Sequence, residues 1–170
     1  VRFLSACIDQ FRHDYGDRLN GADIEVVASS RNVLPLKVDR MLLREVFFNL
    51  FLNSIEAANG RAVVCADARR LNGEEIAALG GQSPVALQTA VIEITLMDSG
   101  PGISEEHREK IFTPFYTTKQ SGNGLGLAVA WKIVRAHGGD ILAENAEAGG
   151  AVFRILLPAL TTQTEMESPV

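Results

Sequence analysis

Arg-Met-Leu-Leu-Arg-Glu-Val-Phe-Phe-Asn-Leu-Phe-Leu-Asn-Ser-Ile-Glu-Ala-Ala, residues 40–58, is the stretch on which the fold turns. It holds neither Gly nor Pro, Pro35 and Asp39 lead into it, and Asn59-Gly60 supplies the stop, so the pattern predicts one long helix from Arg40 to Ala58. Leu42, Leu43, Val46, Phe47, Phe48, Leu50, Phe51, Leu52 and Ile55 make it densely apolar, as expected of a helix that is largely buried. Into this run fall Glu45, Asn49 and Asn53, spaced so that they lie on nearly one face. A buried amide without partners costs about 1–3 kcal/mol, so such a ladder wants polar atoms beside it. Amide oxygens suit a hard cation such as Mg²⁺ with phosphates completing its shell. Taken alone, the amides serve as well by bonding neighbouring backbone.

Downstream, Arg61–Ala66 reads as a strand, and residues 67–84 as a polar excursion with a short helix at Glu74–Leu79. Val85–Met97 alternates as a long strand and runs into Asp98-Ser99-Gly100-Pro101-Gly102-Ile103. Glu105–Ile111 is a short helix with Ser104 as N-cap. Thr113–Gly124 has no period and is expected to be a mobile loop, and Leu125–His137 is a helix ended by Gly138-Gly139. Two strands, Asp140–Glu144 and Ala151–Leu157, flank a turn at Gly149-Gly150. Upstream, Ile24–Val27 reads as a strand, and Phe3, Leu4, Cys7, Ile8 and Phe11 give Arg2–Tyr15 helical spacing. The polar tail beyond Pro158 is expected to be disordered. Interleaved strands and helices predict an α/β fold, an α+β two-layer sandwich, with about five strands in a mixed sheet and about three helices on one face.

Three further segments carry chemistry. In Asp98–Ile103, Gly100 and Gly102 let backbone approach a flat ligand while the Asp98 carboxylate accepts a proton from an exocyclic amine; an ordinary strand-end turn uses the same residues. Gly122-Asn123-Gly124-Leu125-Gly126-Leu127 runs into a helix, where free amides form a phosphate cradle. It follows a loop rather than a first strand and lacks Gly-Lys-Ser/Thr, so it is neither a dinucleotide fingerprint nor a Walker loop. Between them, Phe112-Thr113-Pro114-Phe115-Tyr116-Thr117-Thr118-Lys119 suits a lid over phosphates, with Lys119 as its cation or simply as a solvated loop lysine.

The order and spacing of these pieces resemble the histidine kinase catalytic domains of the GHKL superfamily, with its Bergerat ATP-binding fold. The resemblance covers about Ile24 to Pro158. Asn49–Asn53 matches the asparagine box, Asp98–Ile103 the first glycine box, Phe112–Phe115 the phenylalanine box and Gly122–Leu127 the second glycine box. Ala148-Gly149-Gly150-Ala151-Val152-Phe153 matches the closing turn and strand. The resemblance implies that Asp98 binds the adenine amino group, with Gly100, Gly102 and Ile103 around the ring. Asn53 and Asn49 would hold Mg²⁺, Glu45 would polarise the incoming nucleophile, and Gly122, Gly124, Leu125, Gly126 and Leu127 would cradle the phosphates beneath Lys119.

It implies transfer of the γ-phosphoryl group of ATP to a histidine on a separate helical hairpin, and onward to the aspartate of a response-regulator receiver domain. Residues 1–20 are then a connector from that dimerisation hairpin, 21–158 the ATP-binding domain and 159–170 the tail. None of His13, His107 and His137 has the acceptor's setting: Tyr15-Gly16 follows His13 where a helical run is expected, and the other two read as surface and capping residues. Two departures stand out. Glu56 and Ala57 occupy positions where many relatives have Lys and an aromatic, a pattern like the nitrogen-regulation type of sensor kinase. Residues 67–84 also outrun the usual hairpin, as a partner contact or a floppy insertion. Related self-hydrolysing ATPases carry a Glu where Asn49 stands, and an amide cannot take a proton. An anti-sigma serine kinase and a degenerate regulator fit less well, the first for its weak phenylalanine box and the second because all boxes are intact.

Composition agrees with this reading. The 170 residues are 46% apolar and 22% charged, with formal charge −5 and no dense cationic patch, which disfavours nucleic acid as partner. No apolar run approaches the roughly 20 residues of a membrane helix, and the start lacks the basic-then-apolar pattern, so no secretion signal is expected in this stretch. The expected setting is the cytoplasm with no membrane contact by this domain, the longer protein being either free or anchored at the inner membrane. Val1 in place of Met is expected of a piece of something longer, monomeric as a fragment and homodimeric through the hairpin. Cys7 and Cys65 are expected to be buried free thiols.

Overall fold

The computed structural model describes residues 2–16, 23–25, 35–58, 63–79, 83–88, 90–119 and 122–160. Asp39 caps the central helix α2 (Arg40–Ala57): its carboxylate accepts from the Met41 and Leu42 amides at 2.8 and 3.2 Å. Leu43, Val46, Phe47, Leu50, Phe51, Ser54 and Ile55 bury one side of α2. The other side is more open than the apolar density predicts, with Glu45 and Glu56 exposed, Asn49 and Asn53 half-buried, and Met41 66% exposed.

Helix α1 (Arg2–Tyr15) packs on α2 through aromatic contacts: the Phe11 ring lies 5.1 Å from Phe48 and 5.3 Å from Phe51. Leu4, Cys7, Ile8 and Phe11 belong to the same apolar core as α2, so the packing shows no seam between the residues expected as connector and the domain. Burial pushes the Cys7 thiol up to about 11, with Arg44 and Arg40 pulling weakly the other way. Cys65, expected buried, is half-exposed.

One five-stranded sheet lies beneath, in the order β1-β2-β3-β5-β4. Among the described residues the strands are β1 (Asp23–Glu25), β2 (Val63–Leu71), β3 (Val91–Asp98), β4 (Asp140–Asn145) and β5 (Ala151–Pro158), and only the β1–β2 pair is parallel. The sheet is therefore mixed, as expected. Alternation sends Ile92, Ile94, Leu96, Phe153, Ile155 and Leu157 into the helix-side core, which α1, α2 and α5 (Gly126–Ala136) cover. Residues 26 and 27 of the first expected strand, the Asn59-Gly60 stop and the tail beyond residue 160 lie outside the described residues. Ala159 and Leu160, assigned to the tail, still bond Ala90 and Pro35 through their amides.

The excursion between β2 and β3 departs from expectation. Strand β2 continues to Leu71, and Pro84–Leu87 is a 3₁₀ turn rather than the start of a long strand. Between them α3 (Gly73–Ala78) is held by a capping box in which Asn72 and Glu75 satisfy each other's amides. Ile76 and Val85 pack with Leu71, Val91 and Leu156 into a second small core on the sheet face opposite the other helices. Beside it Glu93, 2% exposed, accepts from Arg69 Nε at 2.7 Å and pairs with Arg154. Arg69 also bonds Glu75 at 2.5 Å, a contact that raises the Arg69 pKa and lowers that of Glu75. The described residues of the excursion are thus packed rather than floppy. Val85→Ala is expected to cost about 2 kcal/mol in urea unfolding, from two lost methylenes plus a small void; an unchanged midpoint would mean that the pad is loosely held.

Candidate functional site

The site lies where α2, the ends of β3–β5 and the segment leading into α5 meet around a cavity of about 540 Å³. Glu45, Asn49, Asn53, Gly102, Ile103, Lys119, Gly122, Gly124, Leu125, Gly126 and Leu127 all line it. Segments about seventy residues apart in the chain, 45–53 and 122–127, therefore converge as the boxes imply. Asp98 and Gly100 do not line the cavity wall but stand behind it.

Asp98 is 4% exposed, and its carboxylate is held by three protein donors. Oδ1 accepts from the Gly100 and Ala151 amides at 2.9 and 3.0 Å, and Oδ2 accepts from the Ser54 hydroxyl at 3.0 Å. Oδ2 thus keeps acceptor capacity for one more donor. Gly102, at φ 81, turns the chain after Asp98. The turn is clipped by Asn145 at the end of β4: its Oδ1 accepts from Ile103 N–H at 2.7 Å and its Nδ2 donates to Ile103 O at 2.8 Å.

On α2, Asn49 Nδ2 donates to the Glu45 carbonyl at 3.0 Å, the neighbouring-backbone bond left open by the sequence. That bond uses the NH₂ group only and leaves the amide oxygen beside Gly126, where an added Cβ would lie 3.1 Å from it. Asn53 Oδ1 meanwhile accepts from Lys119 Nζ at 3.1 Å, so this oxygen already holds a cationic group. Two neutral amide oxygens, one of them on a cation, fit a hard divalent ion that shares its shell with phosphates. Among the described residues no group of three or more His, Cys, Asp or Glu forms a protein-only metal cage.

The opposite wall is the start of α5. Its N-cap, Leu125, makes no side-chain cap bond, so the first-turn amides are open to an anion. Asn123 Oδ1 accepts from Leu125 N–H at 3.1 Å and sets the entry. Gly124, at φ 65, lies so close to the Phe115–Tyr116 peptide that a Cβ would fall 2.5 Å from Phe115 C, and the Phe115 amide donates to Gly124 O at 2.9 Å. This packing holds Phe115 itself at φ 67, strained for a bulky residue and 75% exposed. Thr113–Gly124, expected as a mobile loop, forms no regular element in its described residues and is anchored at this crossing.

Of the three histidines, His107 departs from expectation. His107, at the third position of α4 (Glu105–Arg108), is not a plain surface residue: it lines the cavity and shares a 2.6 Å hydrogen bond between its Nδ1 and the Tyr116 hydroxyl. Ser104 holds the N-cap position of α4 without a side-chain bond. His137 caps α5 as expected; its Nε2 accepts from Asp39 N–H at 3.1 Å, so Nδ1 carries the proton donated to Ile133 O. His13 is exposed on α1. Ser54 and Asn145 are site residues that sequence reasoning missed, and Tyr116, read as part of the lid, was not linked to His107. Ser54 had a faint signal, a hydroxyl inside an apolar helix, whereas Asn145 had none, since its partner lies 42 residues away.

Comparison with known proteins fits this geometry. The model of the family described as "Histidine kinase-, DNA gyrase B-, and HSP90-like ATPase" matches residues 38–161. The sensor histidine kinase ZraS of Salmonella typhimurium is 35% identical over 130 residues, 76% of this chain and 24% of that protein. The chain thus spans about a quarter of the length of that relative. The catalytic domain of histidine kinase ThkA superposes with a TM-score of 0.69 at 29% identity, covering 91% of each chain. ThkA in complex with the response regulator TrrA gives 0.65 at 26% identity, covering 92% of this chain and 40% of that one.

Proposed function

Because the chain belongs to the family of histidine kinase-, DNA gyrase B- and HSP90-like ATPases, we propose that it is the catalytic domain of a sensor histidine kinase. It binds Mg-ATP and passes the γ-phosphoryl group to a histidine on a separate helical hairpin, from which the aspartate of a response regulator takes it. The observation that carries this reading is the convergence of Asn49, Asn53, Ile103 and Gly124–Gly126 on one cavity. The likeness to ZraS, and to ThkA solved with a response regulator, supports the rest.

The residues divide the work. Asp98 Oδ2 receives the adenine amino group, Gly102 and Ile103 give the ring a backbone surface, and Gly100 stands behind them with its amide on the Asp98 carboxylate. Gly122, Gly124 and the first turn of α5, with Leu125, Gly126 and Leu127, hold the phosphates. Asn53 and Asn49 hold Mg²⁺, which when bound neutralises charge on the transferred group. Lys119 supplies a cation from the loop. Glu45 stands exposed on the cavity wall, where a carboxylate can polarise an incoming imidazole. Helix α1 carries the chain toward the hairpin, which also makes the longer protein a homodimer. No helix among the described residues is long and apolar enough to cross a membrane. The likeness to sensor histidine kinases supports a cytoplasmic setting for this domain, with any anchor elsewhere.

The rival reading within the family is hydrolysis. Asn49 cannot accept a proton from water, so Mg-ATP with this chain alone should release inorganic phosphate only slowly, at a rate that added hairpin does not raise. With a histidine-bearing hairpin present, label from γ-labelled ATP should appear on protein as an acid-labile, base-stable phosphoramidate. Rapid phosphate release with no protein label would overturn the kinase reading in favour of an ATPase.

A further inference from the structure

Lys119 makes two bonds that conflict with its expected task. Its ammonium donates to Glu56 Oε2 at 2.8 Å and to Asn53 Oδ1 at 3.1 Å. Asn53 Oδ1 is the oxygen assigned to the divalent ion, and two cations cannot share it: at about 3–4 Å, like charges repel strongly in a partly dry cleft. Glu56 lies one helical turn beyond Asn53, and both line the cavity. The carboxylate that anchors Lys119 therefore borders the space where the phosphates arrive.

Resting on the nucleotide-site reading above, we propose that Glu56 makes nucleotide binding conditional on the divalent ion. In the free protein it holds Lys119 on the amide oxygen of Asn53. A nucleotide without metal meets a lysine already paired with a carboxylate, so little net positive charge faces its phosphates. When a divalent ion takes Asn53 Oδ1, it displaces the ammonium, offsets the Glu56 charge and leaves Lys119 to the phosphates. Glu56 is thus a specificity-determining residue that sets the gap between metal-free and metal-bound affinity.

The effect is bounded by the pair's exposure. The Lys119 and Glu56 side chains are 31% and 56% exposed, so the ion pair is screened and worth little by itself. Removing the carboxylate also removes repulsion of the phosphates, and together these should change affinity by roughly 3- to 10-fold.

The test is calorimetric titration of ADP, with Mg²⁺ and with EDTA, into the wild-type chain, Glu56→Gln, Lys119→Met and the double variant. Expected is a 3- to 10-fold tightening of metal-free binding in Glu56→Gln, with Mg-ADP affinity changed less than about twofold. In the Lys119→Met background the same substitution should move metal-free affinity clearly less than in the wild-type chain, because only the repulsion of the phosphates remains and there is no lysine left to release. An equal shift with and without Mg²⁺ would overturn the proposal. So would a shift that survives intact in Lys119→Met, which would mean that Glu56 acts on the phosphates without the lysine. Failure of the wild-type chain to bind Mg-ADP would instead sink the nucleotide-site reading, and the proposal with it.

Discussion

Asp98→Asn should lower adenine-nucleotide affinity roughly 10- to 100-fold, the worth of one hydrogen bond to a buried charged acceptor plus a misdirected donor. Every atom near this carboxylate already offers it a proton: the Ser54 hydroxyl and the Gly100 and Ala151 amides. An amide in its place must turn its NH₂ either toward those backbone amides or toward the side where Oδ2 faces Ser54. The first choice buries opposed donors. The second, with the Ser54 hydroxyl free to rotate and accept, keeps the fold but offers a donor to the adenine amino group. The substitution should therefore damage binding more than stability. Calorimetry of Mg-ADP beside a urea titration separates the two. A variant that binds normally would remove Asp98 from the site, while one that merely unfolds would leave it a purely structural carboxylate.

Gly150→Ala should be among the most damaging single-methyl changes in the domain, about 2–5 kcal/mol by urea midpoint. Gly150 sits at φ 92, a conformation that costs an L-residue about 1–2 kcal/mol. A Cβ there would also run into the Asp98 carbonyl oxygen, a backbone atom that cannot swing aside, and displacing packed backbone costs about 1–3 kcal/mol more. Gly149→Ala is the matched control. It has φ 94 and nothing within 4 Å of an added Cβ, so only the conformational cost of about 1–2 kcal/mol applies. Equal losses in the two variants would show that the contact with Asp98 contributes nothing. Because Ala151, next in the chain, donates to Asp98, Gly150→Ala should also weaken nucleotide binding where Gly149→Ala does not.

Helix α2 was legible because its capping residue, its length and its polar stripe agree, and each rests on contacts within one element. The glycine-rich turns were legible for a similar reason: a positive φ at Gly102 and Gly124 is a local demand that only a few residues meet. Strand ends were harder. Asp67, Arg69 and Arg70 read as loop, yet Arg69 sits in β2 with its charge answered by Glu93 on β3 and Glu75 on α3. A partner three strands' worth of chain away turns an apparent surface charge into a sheet residue. Val85 misled in the other direction. Its apolar side chain fits a strand, but Pro84 starts a 3₁₀ turn, and Val85 drops into the second core from above the sheet. Period alone cannot tell these apart, since both end in burial. Within the site, the boxes were legible and their supports were not: Asn145 and Tyr116 act on residues 42 and nine positions away, and neither spacing has a sequence signature.

The sheet has two unlike ends. At one, Asp98, Asn145 and Gly150 meet within a few residues, and backbone contact leaves no room for even a methyl group at Gly150. At the other, Leu71 and Val91 close over a separate small core that shares no residue with the cavity. A lineage can lengthen, recolour or graft onto the second end while the first stays as it is. For a laboratory the same asymmetry marks α3 as the place for a tether, dye or affinity handle: on its exposed Glu74, cargo can be carried without being felt where the nucleotide sits.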